Sequence, residues 1–234
     1  MAIALDASSN SGLKTDSFTW NHTCTGSNLV LVISVIVRDT TLSKRTVSTI
    51  TYNGVALTKV RSDDNGVSFR TEIWYLINPA TGSNTVSVTM GSFVLEVWGF
   101  ATSLTGAKQS SQPDAHNGNF GATNSSSVSV TTIANNSWII GALITPAAAT
   151  SEAPSSGQVA DYTALGTNLD ASLGHHGPIS PAGATNDNWS WSGGPWDYVQ
   201  SSASFAPASG TDVSNIQVSV PQTAFINNNK VIAH

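Results

Sequence analysis

The chain has 234 residues with nine basic against 14 acidic side chains, a formal net charge of −5, so it carries no broad phosphate-neutralising surface and nucleic-acid binding by charge is excluded. Charged residues are only 10% and hydrophobic ones 40%, with seven Trp, which excludes a disordered chain. The polar surface is therefore neutral, with 34 Ser, 26 Thr and 19 Asn making up about a third of the chain. The single Cys24 can form neither an intrachain disulfide nor a Cys-based zinc site. Met1-Ala2-Ile3-Ala4-Leu5-Asp6 lacks the basic start and apolar stretch of a secretory leader. The longest apolar run, 29–37, falls short of the roughly 20 residues of a membrane helix. A soluble protein without a membrane segment is expected.

In chain order the pattern is one of strands. Phe18, Trp20, His22 and Cys24 fall on one side of a strand, Thr19, Asn21 and Thr23 on the other, before a turn at 25–28. Leu29 to Val37 is apolar almost throughout, as in a central strand covered on both faces. Strands are predicted over 45–52 and 55–61, joined by the hairpin signal Asn53-Gly54. In the next, 67–78, Phe69, Thr71, Ile73 and Tyr75 share one face and Arg70, Glu72, Trp74 and Leu76 the other. Strands at 85–90 and 95–103 follow, and 104–124 reads as a Gly/Asn/Ser-rich loop. The second half restarts with 127–133, a turn, and the apolar strand 138–145. An alternating strand and then a filled one thus recur about 109 positions later, which suggests two similar halves of one sandwich. After a Pro/Ala/Ser loop at 146–156, strands are predicted at 157–163, 169–175, 187–192 and 196–206. The fold class is all-β: an antiparallel, jelly-roll-like β-sandwich over 1–207 with a strand-forming extension over 208–234.

Several stretches have the look of a known family: Ser27-Asn28-Leu29-Val30-Leu31-Val32, Ile50-Thr51-Tyr52-Asn53-Gly54-Val55-Ala56-Leu57-Thr58, and Glu72-Ile73-Trp74-Tyr75-Leu76-Ile77-Asn78-Pro79-Ala80-Thr81-Gly82. With Thr85-Val86-Ser87-Val88-Thr89 and Trp189-Ser190-Trp191, they make residues 16–206 resemble a widespread family of β-sandwich domains of bacteriophage structural proteins and bacterial surface or secreted proteins. The resemblance implies a jelly-roll-like sandwich with a structural or adhesive role and no catalytic residues. It does not cover the extension.

Two constellations stand out. In Glu72-Ile73-Trp74 and Glu96-Val97-Trp98 each Glu shares a strand face with its Trp. If the strands were neighbours, two carboxylates and two indoles would line one sheet face, as sugar binding or glycoside hydrolysis requires. The alternative is packed indoles and glutamates paired with bases, for which Arg70 is placed on the face of Glu72. Trp189, Trp191, Trp196 and Tyr198 form either a sugar platform or the aromatic closure of a sandwich end. His175-His176, near Asp170, point to opposite faces of a strand and chelate one metal poorly, and Asp63-Asp64-Asn65 reads as a turn before a calcium site. There is no nucleophile elbow and no phosphate or dinucleotide motif, so no cofactor or metal is expected.

The expected function is a non-enzymatic structural protein of a phage-type virion, a capsid decoration (cement) protein or a tail or fibre component. It would be assembled in the host cytoplasm and exposed on the particle exterior. Its partners would be the major capsid or another virion protein and further copies of itself. The alternative is an extracellular or cell-surface carbohydrate-binding module or adhesin that takes a host glycan. In the extension, Ile216, Val218, Val220, Phe225 and Ile226 mark either an assembly arm or an edge strand added to the body. Seven of the nine basic residues lie between Lys14 and Arg70, so an acidic end of one copy could meet a basic region of another, or both could simply be solvated.

Overall fold

A computed structural model of the chain describes residues 2–208, with only the backbone of Ala164. Its first half contains β1 (Ala4–Asn10), β2 (Phe18–Cys24), β3 (Val30–Arg38), β4 (Val47–Tyr52), β5 (Val55–Ala56), β6 (Thr58–Asp64), β7 (Phe69–Ile77), β8 (Gly82–Met90) and β9 (Glu96–Thr105). The second contains β10 (Ala115–Thr123), β11 (Ser125–Thr131), β12 (Ser137–Pro146), β13 (Thr150–Pro154), β14 (Gln158–Leu165), β15 (Leu169–Ile179), β16 (Ala184–Ser192) and β17 (Trp196–Phe205). A single 3-10 turn, Leu42–Lys44, precedes β4. Among the described residues no helix is long and apolar enough to cross a membrane.

The strands form four antiparallel sheets, in the orders β1-β9-β3-β7-β6, β2-β8-β4-β5, β10-β17-β12-β15-β14 and β11-β16-β13. The second half repeats the first strand for strand, except that β5 has no counterpart. In each half the first strand lies beside the last and the second beside the last but one, the connectivity of a jelly roll. Each half builds a two-sheet sandwich of its own, whereas the sequence pattern suggested two halves of a single one.

The two five-stranded sheets then stack face to face. Their shared core takes Val32, Ile36, Ile73 and Phe100 from one half and Ile140, Ile144, Leu173 and Phe205 from the other. Across it β7 faces β17 and β12, β3 faces β12 and β15, and β9 faces β15. Exchanging equivalent strands preserves these contacts, but β6 lies against β10 and β17 more closely than β14 does against β1 and β9, so the two-fold relation of the halves, about an axis along the strands, is approximate.

This stacking explains the filled strands. β3 sends Val30, Val32 and Ile36 into the shared core, and Leu31, Ile33, Val35 and Val37 into its own sandwich against β2, β4 and β8. β12 likewise divides Ile140, Ala142 and Ile144 from Ile139 and Leu143. Asn53 and Gly54 form the expected two-residue hairpin between Tyr52 and Val55, with φ of 49° and 78°, a conformation glycine adopts without strain.

Two predicted loops contain strands. Residues 104–124 include β10, which is mostly exposed and shows no apolar alternation. It is held by its ladder to β17 and by the Asn117 and Asn119 amides, which donate to the Ser129 and Ser127 carbonyls of β11. Its Gly118 packs so close to Asp63 that a Cβ would come within 2.2 Å of the carboxylate, so composition there records contact rather than a turn. The loop predicted at 146–156 contains the short edge strand β13 on β16.

The body closes at Pro207, which bridges to Ala107, and at Ala208, whose N–H donates to the Gly106 carbonyl at 2.8 Å. Ile216, Val218, Val220, Phe225 and Ile226 of the extension lie outside the described residues. Leu31→Ala removes a fully buried side chain from the centre of the first sandwich. It is expected to cost about 2–5 kcal/mol in denaturant unfolding, and wild-type stability would contradict the double burial of β3.

Candidate functional site: a cleft at the seam of the two halves

The paired Glu/Trp strands do not come together on one face. β3 lies between β7 and β9, so the two are separated by about 10 Å within the sheet. They also face opposite ways. Glu72 is opposite Val35 and Trp74 opposite Ile33, on the face of the first sandwich. Glu96 is opposite Arg38 and Trp98 opposite Ile36, on the face of the shared core. A sheet therefore separates the carboxylates, and no sugar could bridge them.

Glu72 is a structural ion-pair centre. Fully buried, it receives Lys59 at 2.9 Å, Arg70 at 3.6 Å and the Trp74 Nε1–H at 2.9 Å, and the Lys59 ammonium lies 4.7 Å from the Trp74 ring centroid. Three cationic or N–H donors converge on one carboxylate, which offsets the cost of burying it. Asp64 pairs with Arg45 and Arg70, Asp63 with Arg61, and Asn65 Oδ1 accepts three backbone N–H groups, so this segment is a capped turn with both carboxylates committed to arginine.

The aromatic group near the C-terminus divides. Trp189 and Trp191, 1% and 5% exposed, and the buried Tyr198 close the interior of the second sandwich, so they form no platform. Trp196 alone remains half-buried and reaches the surface.

It does so at a cleft of about 410 Å³ at one end of the seam. The first half contributes Arg38 from the end of β3 and Ser68 and Phe69 from the start of β7. The second contributes Pro146, Asn168, Trp196 and Asp197. Ladder register makes these matching positions: Arg38 lies opposite Phe69 as Pro146 lies opposite Leu169, which equates Arg38 with Pro146 and Ser68 with Asn168. Continuing the β12–β17 register past Ile144–Val199 equates Glu96 with Asp197. The cleft thus lies at the end of the pseudo-two-fold axis, lined by equivalent positions that carry different chemistry. Glu96, 4% exposed, accepts from the Asn168 amide at 2.6 Å and so fixes this cleft residue from beneath.

No family model, curated protein or solved structure matches this chain.

Several buried polar groups meet partners that only the fold brings to them. Asp170 and Glu152 lie close together inside the second sandwich, where Glu152 accepts the hydroxyls of Thr145 and Ser172. Burial, reinforced by the Glu152 charge, pushes Asp170 up to about 6. Asp187 is buried between Ser202, 2.6 Å away, and Gln158, and burial raises its pKa. His175 pairs with Asp161 at 3.1 Å and stacks on Trp138, while His176 on the opposite face feels Asp187. His22, isolated in the sequence, links Ser9 and Ser103, and burial lowers it to about 4, so it stays neutral. Among the described residues no cluster of three or more His, Cys, Asp or Glu could hold a metal ion. Glu152 and Asp170 are 18 positions apart with no local pattern, so only the fold brings them together.

Because folding raises the Asp170 pKa, its neutral form is the one the folded state favours. Its stability contribution is complete below pH 4 and is lost as pH rises from about 4 through about 6. Asp170→Asn should therefore melt higher than wild type at pH 7, by on the order of 2 kcal/mol, with the difference vanishing near pH 4. Thermal melts of both proteins across this range check it.

Proposed function

We propose that this protein is a non-enzymatic structural and interaction protein of a phage-type virion, a capsid decoration or tail component. The observation that carries the reading is the fate of the candidate carboxylates. Glu72 is sealed among Lys59, Arg70 and Trp74, and Glu96 is buried on the opposite face of the same sheet, so the pair that would do hydrolytic chemistry is absent as a pair. What the fold presents outward is a closed body with a neutral Ser/Thr/Asn-rich surface, suited to display rather than turnover. The last described strand β17 is paired on both sides, by β10 and β12, and the extension that follows it serves as the arm that attaches the protein to its particle. Many weak arm contacts on one particle add up through multivalency.

The test compares the full chain with a chain ending at Ala208, by light scattering and by co-sedimentation with phage particles grown in the same host. The full chain is expected to oligomerise and sediment with particles. The shorter chain should keep its circular dichroism and melting temperature but remain monomeric and unbound. A full chain that stays monomeric in the supernatant overturns the reading, and a shorter chain that still assembles removes the arm from it.

A further inference from the structure

Beyond a structural role, we propose that the seam cleft binds one residue of a neutral sugar. Arg38 and Asp197 both line it, yet among the described residues neither forms an ion pair or side-chain hydrogen bond. Arg38 lies directly across the β3–β9 ladder from Glu96 and still makes no ion pair with it. Among the described residues, then, a half-buried guanidinium and an exposed carboxylate at one cleft are both left open to a ligand.

The lining specifies the chemistry. Arg38 supplies a fork of N–H donors, the shape that grips two adjacent oxygens. Asp197 supplies acceptors for hydroxyl protons, and Ser68 and Asn168 supply neutral groups that can do either. One N–H of the Asn168 amide is given to Glu96, which leaves its second N–H and its carbonyl oxygen for a ligand. Trp196, half-buried against the interior of the second sandwich, adds an apolar border on which C–H groups of a sugar can rest. The opposite charges of Arg38 and Asp197 cancel, so the cleft has no preference for an anion. Its volume, about 410 Å³, lies in the range of small-ligand sites.

Location strengthens the assignment. A homodimer with this arrangement would repeat one residue set across the axis. Here the axis passes between Arg38 and its counterpart Pro146, and between Ser68 and Asn168. Fusion of the halves in one chain permits donor, acceptor and apolar border to lie on different sides of a single asymmetric site.

The test uses the full chain with the methyl glycosides of glucose, galactose, mannose and N-acetylglucosamine, followed by saturation-transfer NMR and tryptophan fluorescence. At least one glycoside is expected to bind saturably with Kd of about 1 mM. Arg38→Gln and Asp197→Asn, both at the surface, should each weaken it about tenfold without shifting the melting temperature. Absence of binding by all four glycosides overturns the proposal. So does binding that neither variant weakens. Binding of free amino acids with no binding of glycosides also overturns it, because the unpaired charges would then serve a zwitterion.

Discussion

A sheet covered on both faces must carry apolar side chains at successive positions along its strands, because neither side offers water to a polar group. Here the shared core between the two five-stranded sheets imposes that demand, and the rest of the molecule is arranged around it. β3 and β12 lie at the centre of their sheets and meet the demand with nearly unbroken Val, Ile, Leu and Ala. β9 beside β3 also divides its apolar residues, Val97 and Ala101 on one face and Trp98, Phe100 and Leu104 on the other, whereas the outer sheets β2-β8-β4-β5 and β11-β16-β13 need only one apolar face each, hence the strict alternation of β11. The four-layer order follows from which strands can afford two buried faces.

The two sandwiches solve the same geometry with different interiors. The first is filled mostly with hydrocarbon, Leu31, Ile33, Val35, Ile50, Val86 and Val88, with Cys24 as one more small apolar group, and keeps Glu72 and the His22–Ser103 pair toward its margins. The second holds Asp187, Gln200, Ser202 and Ser126 as a bonded network, and Glu152 with Asp170 beyond it. Buried polar networks stabilise little on balance, because each group gives up water to enter. The network of the second half does fix the packing, since each member has a partner in only one arrangement.

Much of this fold could be read from the sequence, and the failures share a cause. Strands whose side chains alternate or fill both faces announce themselves, and the Asn53-Gly54 hairpin, the faces of β7 and the recurrence of an alternating and a filled strand all follow from local pattern. β10 and β13 do not, because they are edge strands held by backbone ladders, and nothing in Ala115–Thr123 is selected for burial. The site was legible residue by residue but not as an assembly. Arg70 on the face of Glu72 was visible in the spacing, and it formed the ion pair that removes Glu72 from chemistry. Which neighbour lies beside Glu96 depends on β3 intervening between β7 and β9, a matter of topology that alternation cannot encode. Trp196 packs against the same interior cluster as Trp189, Trp191 and Tyr198, and differs from them only in lying at the start of β17, where it stays half-buried beside the cleft.

The fused duplication gives the chain something that neither half would have alone. In a symmetric pair, the two positions flanking the axis must carry the same residue, so a charge placed there meets its own copy and repels it. Within one chain the constraint is lifted. Arg38 can lie across from Pro146, so no second guanidinium faces it across the axis. Elsewhere the halves are joined by backbone hydrogen bonds from Lys108 to Ala206 and from Ala208 to Gly106, and by the buried Gln112 amide, which both donates to and accepts from the Ala206 backbone. Divergence of side chains thus gathers at the cleft, where a ligand can reach it, while these bonds keep the two halves in register.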